Sequence, residues 1–178
     1  MIVERILQTY KEQGLERPNQ FGFRKGKGAD DVFIHLRNAV KYNDKKYTLV
    51  IFVDIEGAFD NIWWPAVLAR VADTNYSSRI FNIVRNYFKH RKVTIESVSK
   101  QYSRRMQKGC LQGSIIGPAA WVWCMDVLLK EIQENVSGEH AGTIAYADNL
   151  VCVIKGDTRL ALEDHARRVM EIIVNFTN

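Results

Sequence analysis

Apolar positions recur along this chain with two periods, and each change of period marks out an element. From Ile2 to Gln13, Ile2, Ile6, Leu7 and Tyr10 stand at helical spacing and Gly14 offers a left-handed stop, which predicts a half-buried helix. The run Glu16 to Gly28, ERPNQFGFRKGKG, is loop chemistry, with Phe21 and Phe23 available either to pin it to the core or to stack on bases. Ala29 to Tyr42 reads as a second helix with Val32, Phe33, Leu36, Arg37 and Val40 on one face and Asp30 and Asp31 at its positive end. Thr48 to Val53, TLVIFV, has no alternation at all, so a strand covered on both faces is expected, ending at Asp54.

Pro65 opens a helix with the stripe Val67, Leu68 and Val71, and the neighbouring Trp63 and Trp64 are expected in the core. Ser77 or Ser78 caps the next, Arg79 to Lys89, with Ile80, Phe81, Val84, Tyr87 and Phe88 inward. Val93 to Val98 and Gln101 to Met106 alternate about Ser99-Lys100 as a hairpin. The segment KGCLQGSIIGP then leads into a helix, apolar nearly all round, that runs to about Glu134. GTIAYADNLVCVI, residues 142 to 154, reads as two short strands with Asp148-Asn149 at the tip of the turn. A last amphipathic helix covers Asp157 to Phe176, turning Leu160, Leu162, His165, Val169 and Ile172 inward, with His165 a core histidine rather than a base. This order predicts an α+β fold: an antiparallel sheet with helices on one face, in a single domain over residues 1–178.

Composition adds bounds rather than a function. A chain of 178 residues, 47% hydrophobic and 25% charged, has material for a core without staples. Cys110, Cys124 and Cys152 stand far apart, which favours buried thiols in a reducing compartment over zinc or disulfides. No apolar run reaches the roughly 18 residues that span a bilayer, and the N-terminus does not resemble a signal peptide, so an intracellular location is expected. The net charge of +5 is concentrated at Arg24-Lys25-Lys27, Lys89-His90-Arg91-Lys92 and Arg104-Arg105-Lys108, beside glycines or element ends where phosphates could approach.

Asp54 is the first chemical signal. A carboxylate at the end of so apolar a strand needs a cation, a metal or a cleft rim, or else it caps a helix starting at Ile55, and this stretch alone reads equally well as cap or ligand. An antiparallel sheet can bring the end of its strand beside the Asp148 turn. Two neighbouring carboxylates with oxygen-only ligands select Mg²⁺ or Mn²⁺, and a pair of such ions about 4 Å apart serves in-line displacement at phosphorus. Phosphoryl or nucleotidyl transfer is the indicated chemistry.

FVDIEGAFD resembles the first catalytic motif of reverse transcriptases, LQGSIIGP their template and nucleotide contact motif, and YADN their YADD or FADD box. With QFGFRKGKG upstream and AFDNIWWP downstream, the chain looks like the enzymes of non-LTR (LINE-type) retrotransposons over nearly its whole length. That resemblance implies a polymerase palm with partial helical fingers, lacking the thumb and the N-terminal fingers hairpin. It implies that Asp54 and Asp148, with the Ile55 carbonyl and Asn149, hold the metals, and that Asp54 and Asp148 are catalytic. Phe59 would be the gate under the sugar, Gln112 and Gly113 would line the nascent base pair, and Arg24, Lys25 and Lys27 would meet nucleic acid. The implied partners are an RNA template, a DNA primer and a dNTP, in a nuclear retrotransposon ribonucleoprotein.

One departure weakens the analogy, because the second acid of the YADD box is Asn149 here. A non-catalytic nucleic-acid-binding relic of such an enzyme is therefore the alternative. A nucleotidyl cyclase, which shares the paired acids, has no use for QGSIIGP.

Overall fold

A computed structural model describes residues 2–42, 44–74, 76–136 and 141–177. In chain order the elements are α1 (Ile2–Glu12), α2 (Ala29–Lys41), β1 (Tyr47–Asp54), α3 (Trp64–Asp73), α4 (Ser78–Phe88), β2 (Lys92–Ser97), β3 (Lys100–Arg105), α5 (Gly117–Asn135), β4 (Ala141–Tyr146), β5 (Asn149–Gly156) and α6 (Arg159–Thr177). They fall into two compact units, Glu16–Glu56 with Met125–Asn178, and Met1–Leu15 with Gly57–Cys124.

The first unit is built on an antiparallel sheet of order β1-β5-β4. Its register sets Tyr47 opposite Gly156 and Asp54 opposite Asn149 on one side of β5, and Ala141 opposite Ile154 and Tyr146 opposite Asn149 on the other. Side chains alternate across a sheet, so Val50, Val151, Val153 and Ile144 share one face. There they form a cluster with Phe21, against which Val32, Leu36 and Ala39 of α2 pack. Leu150, Cys152 and Ile154 alternate with these and are also fully buried. Burial on both faces therefore belongs to the central strand, β5.

β1 is the corresponding correction. Despite its apolar run it lies at the edge of the sheet, none of its residues is fully buried, and Phe52 is 71% exposed. An edge strand has one neighbour to cover it, which a run of apolar letters cannot reveal. The α2 stripe is likewise shifted, with Val32 and Leu36 packed but Phe33 and Val40 exposed. α6 starts two residues later than expected and leaves Leu160 in solvent while burying Val169 and Ile173.

The second unit is helical apart from the β2–β3 hairpin. Ile6 and Tyr10 of α1 are buried with Val67 and Val71 of α3 and Val84 and Phe88 of α4; the side chain of Ile2 lies outside what the structure describes. Two long-range bonds tie α1 in: Arg70 Nη2 donates to the Tyr10 hydroxyl at 3.0 Å, and the Tyr76 hydroxyl donates to the Ile6 carbonyl at 2.8 Å. Trp64 stacks on Phe88 with centroids 5.5 Å apart, but Trp63, expected in the core, precedes α3 and is exposed. The three cysteines are free and buried, and burial pushes the Cys124 and Cys152 thiols up to about 12. Among the described residues no helix is long and apolar enough to cross a membrane.

α5 buries one carboxyl, Asp126, at 1% exposure, and the loss of hydration pushes it up to about 8. A carboxyl raised in the folded state favours folding while protonated, so its contribution is complete below about pH 4 and is lost as pH rises through about 8. Unfolding free energy should therefore fall across that window by at most about 1.4 kcal/mol per pH unit. Asp126→Asn, neutral throughout, should flatten the profile and raise Tm at pH 8. Thermal unfolding that follows the same pH curve in both proteins would assign the dependence to other groups.

Candidate active site

The sheet register assembles four of the expected site residues at one end of the first unit. Asp54 is the last residue of β1 and lies directly opposite Asn149, the first of β5, so their side chains leave the same face with Cβ atoms about 4.5–5.5 Å apart. No helix starts at Ile55, since the next begins at Trp64, which removes the capping explanation for Asp54. Instead the Ile55 N–H donates to the Asp148 carbonyl at 3.2 Å, extending the ladder one step past the strand and clamping the two catalytic-motif backbones together. The Asn149 amide Nδ2 donates to Asp148 Oδ1 at 3.3 Å, which directs the Asp148 carboxylate towards the side chain facing Asp54.

The turn itself differs from expectation. Its two central residues are Ala147 and Asp148, not Asp148 and Asn149, because Tyr146 pairs with Asn149. The left-handed position falls on Ala147, at φ 55°. Asn149 is thereby fixed in the ladder rather than free at the tip.

What holds an alanine in that strained conformation is the Asn19–Gly22 part of the upstream loop, which acts as a strap. Ala145 N–H donates to the Asn19 carbonyl and Phe21 N–H to the Ala145 carbonyl, both at 2.8 Å, while Asn19 Nδ2 reaches Thr143 Oγ1 at 2.6 Å. Gln20, fully buried, folds its Oε1 back to accept the Gly22 N–H at 2.9 Å. Gly22 then lies against the turn so closely that a Cβ there would fall on the Ala147 backbone nitrogen. The signal was present in the glycine of QFGFRKGKG, but nothing local says what that glycine must approach.

Beyond Gly22 the same strap carries the basic residues. Lys25 and Lys27 are exposed, with Lys27 Nζ 5.2 Å from the centroid of the buried Phe21 ring, whereas Phe23 is exposed at φ 60°. Arg24 is half-buried; burial lowers its guanidinium from the ordinary value, partly offset by Glu16, and its Nη2 has no hydrogen-bond partner among the described residues. A guanidinium in that condition is suited to an incoming anion.

Phe59, Gln112 and Gly113 belong to the second unit, where two loops are stitched together. The Phe59 carbonyl accepts the Cys110 N–H at 2.7 Å and the Ile62 carbonyl accepts the Gly109 N–H at 2.8 Å, while Trp64 Nε1 donates to the Gly109 carbonyl at 2.8 Å. A Cβ at Gly109 would stand 2.7 Å from the Asp60 carbonyl oxygen, so only glycine permits this approach. Gly117, at the start of α5, makes room for the Phe59 ring, whose Cε1 would be 3.1 Å from an added Cβ. Gln112 is exposed and Gly113 has φ 82°, in a loop whose Leu111 and Ile115 are also exposed. The Ser114 Oγ accepts the Gly117 N–H at 3.1 Å and closes the loop onto the helix.

The Asp54 and Asp148 carboxylates, the Ile55 carbonyl and the Asn149 amide oxygen are hard oxygens of the kind that could hold a divalent cation of the Mg²⁺ type. Among the described residues no three His, Cys, Asp or Glu side chains gather into a group that could hold a metal.

An antiparallel sheet with this placement is a polymerase palm-type fold, and solved structures bear out the likeness. Apo telomerase from Candida tropicalis superposes with a TM-score of 0.67 at 11% identity, over 97% of this chain and 36% of that one. The chain belongs to the reverse transcriptase (RNA-dependent DNA polymerase) family, whose sequence model matches residues 1–177. Its relatives are non-LTR retrotransposon proteins. A 115 kDa protein in type-1 retrotransposable element R1DM of Drosophila melanogaster is 37% identical over 154 residues, 86% of this chain and 14% of the relative. The RNA-directed DNA polymerase from mobile element jockey of the same fly is 27% identical over 167 residues, 90% of this chain and 18% of the relative. The chain thus spans less than a fifth of the length of these relatives.

The Gly22 approach yields a direct test. Gly22→Ala should displace the Ala147–Asp148 turn and cost about 1–3 kcal/mol, the usual range for an overpacked site. Urea unfolding measures the change; a variant as stable as the parent would show that the strap does not hold the turn.

Proposed function

We propose that this chain carries the nucleotidyl-transfer centre of an RNA-directed DNA polymerase, with the β1-β5-β4 unit as its palm and both units in one polymerase domain. The observation that carries the reading is the register: Asp54 opposite Asn149, with Asp148 one residue away and its carbonyl bonded to Ile55. Asp54 and Asp148, with the Ile55 carbonyl and Asn149 Oδ1, would hold Mg²⁺ or Mn²⁺. Bound there, divalent ions lower the pKa of a primer 3′-hydroxyl and neutralise a dNTP triphosphate. The chain's own residues do the rest. Asp54 and Asp148 supply the negative charge that fixes the cations, and the rigid turn keeps Asp148 from swinging away. Phe59, held at its carbonyl by Cys110 and backed by Gly117, presents a ring suited to excluding a 2′-hydroxyl from the sugar. Gln112 and Gly113 line the nascent base pair, and Arg24, Lys25 and Lys27 meet template or primer phosphates. The enzyme would copy an RNA template onto a DNA primer within a retrotransposon ribonucleoprotein in the nucleus, a setting supported by the retrotransposable elements that encode its relatives.

Asn149 favours a second reading, a relic that binds nucleic acid without catalysis. An amide keeps the shape and an acceptor oxygen of the acid but removes one negative charge, and its Nδ2 occupies a lone pair of Asp148 that a cation would use. Metal affinity is expected to fall more than geometry.

Metal-dependent primer extension separates the two, measured on the chain itself and on a chimera in which it replaces the matching segment of the jockey relative. Activity should be weak, need high metal and be better with Mn²⁺. Asn149→Asp should raise it and lower the metal requirement, and Asp148→Asn should abolish it. A chimera that stays inert after Asn149→Asp yet binds RNA would establish the relic.

The sugar gate is checked in the same assay. Phe59→Val should increase ribonucleotide incorporation relative to deoxyribonucleotide, and unchanged discrimination would place the gate elsewhere.

A further inference from the structure

The hairpin of β2 and β3 takes no part in the site above. Residues 89–108 hold seven lysines and arginines and one acid, Glu96, a net +6 in a chain whose total is +5, so the remaining residues sum to −1. Every residue of both strands is exposed. Among the described residues none of these seven cations is in an ion pair, and Glu96 is engaged by the Gln101 amide at 2.9 Å. Lys92 lies directly opposite Arg105, a like-charge pair that destabilises a ladder. Two strands alone are marginally stable in water, and a polyanion would relieve the repulsion in such a pair.

The opposite face has a different character. Val93 stands opposite Arg104, Ile95 opposite Tyr102 and Ser97 opposite Lys100. Lys100, Tyr102 and Arg104 therefore alternate along one edge of a face whose Ile95 and Tyr102 are 64% and 59% exposed. An aromatic ring flanked by two cations on an open β-ribbon is how unpaired bases are held: the ring stacks a base and the cations take the neighbouring phosphates. Lipid headgroups and acidic proteins would meet the charge but offer no base to stack on the tyrosine ring.

We propose that this face of the β2–β3 hairpin is a docking surface for single-stranded RNA, separate from the Asp54–Asp148 centre. The preference for RNA over DNA rests on the polymerase reading; the preference for a single strand rests on Tyr102 alone.

The test uses the 178-residue chain and a labelled single-stranded RNA, followed by fluorescence anisotropy over a range of salt. Tyr102→Ala should weaken binding by roughly 5- to 150-fold, while Tyr102→Phe, which keeps the ring, should bind as the parent does. Lys100→Gln with Arg104→Gln should reduce the slope of log affinity against log salt by about 1.4, or about 0.7 for each phosphate that is no longer neutralised. Circular dichroism of each variant checks that the fold is retained. Equal RNA affinity in all variants overturns the proposal, as does tighter binding to DNA of the same sequence, to duplex RNA or to phosphatidylserine vesicles. Primer extension by the chimera keeps the two readings apart. Inert chimeras with hairpin-dependent RNA binding would sink the polymerase reading alone, and active chimeras whose RNA affinity ignores the hairpin would sink this one alone.

Discussion

The pairing of β5 with both of its neighbours is the constraint on which the rest of the first unit depends. Because side-chain direction in a strand has period two, a slip of one residue between β1 and β5 would send Asp54 to the opposite face from Asn149. Burial opposes the slip: with β5 held by β4, Val50 would leave the face it shares with Val151 and Val153. Apolar packing thus fixes the position of Asp54 and of the turn that carries Asp148. The backbone bond from Ile55 to the Asp148 carbonyl carries the same register one residue beyond the strands.

The turn between β4 and β5 illustrates how a strained segment is kept in place. Alanine at a left-handed φ is unfavourable, and such strain persists only where surrounding structure over-determines it. Here the hairpin ladder on one side and the Asn19–Gly22 strap on the other supply that restraint, and the strap's own glycine is what allows the approach. The loops around Phe59 and Cys110 use the same device at Gly109, so that in both units a close backbone approach helps to position the residues of interest.

Charge is distributed unevenly between these parts. The paired acids at the sheet end carry two carboxylates where three would bind cations more firmly, because Asn149 supplies an amide. The cations that give the chain its net charge are meanwhile gathered on an exposed hairpin and on the strap beside the turn. Each of these patches would draw a polyanion by long-range attraction before any specific contact formed.

Local periodicity was enough to locate all six helices and five strands of the described residues within a few positions, because amphipathic helices and alternating hairpins are set by neighbours in sequence. The motifs around Asp54, Gln112 and Asp148, taken in order, were enough to indicate the family, since that information lies in residue identity. Tertiary structure alone decided that β5 is central and β1 an edge, leaving Phe52 exposed, since a run of apolar residues looks the same whether one neighbour or two will cover it. It alone decided that Trp63 faces solvent, that Ala147 bears the positive φ, and that Gly22 must be glycine. Each of these depends on a partner distant in the chain, and sequence spacing records which residues a segment has but not which surface it will meet.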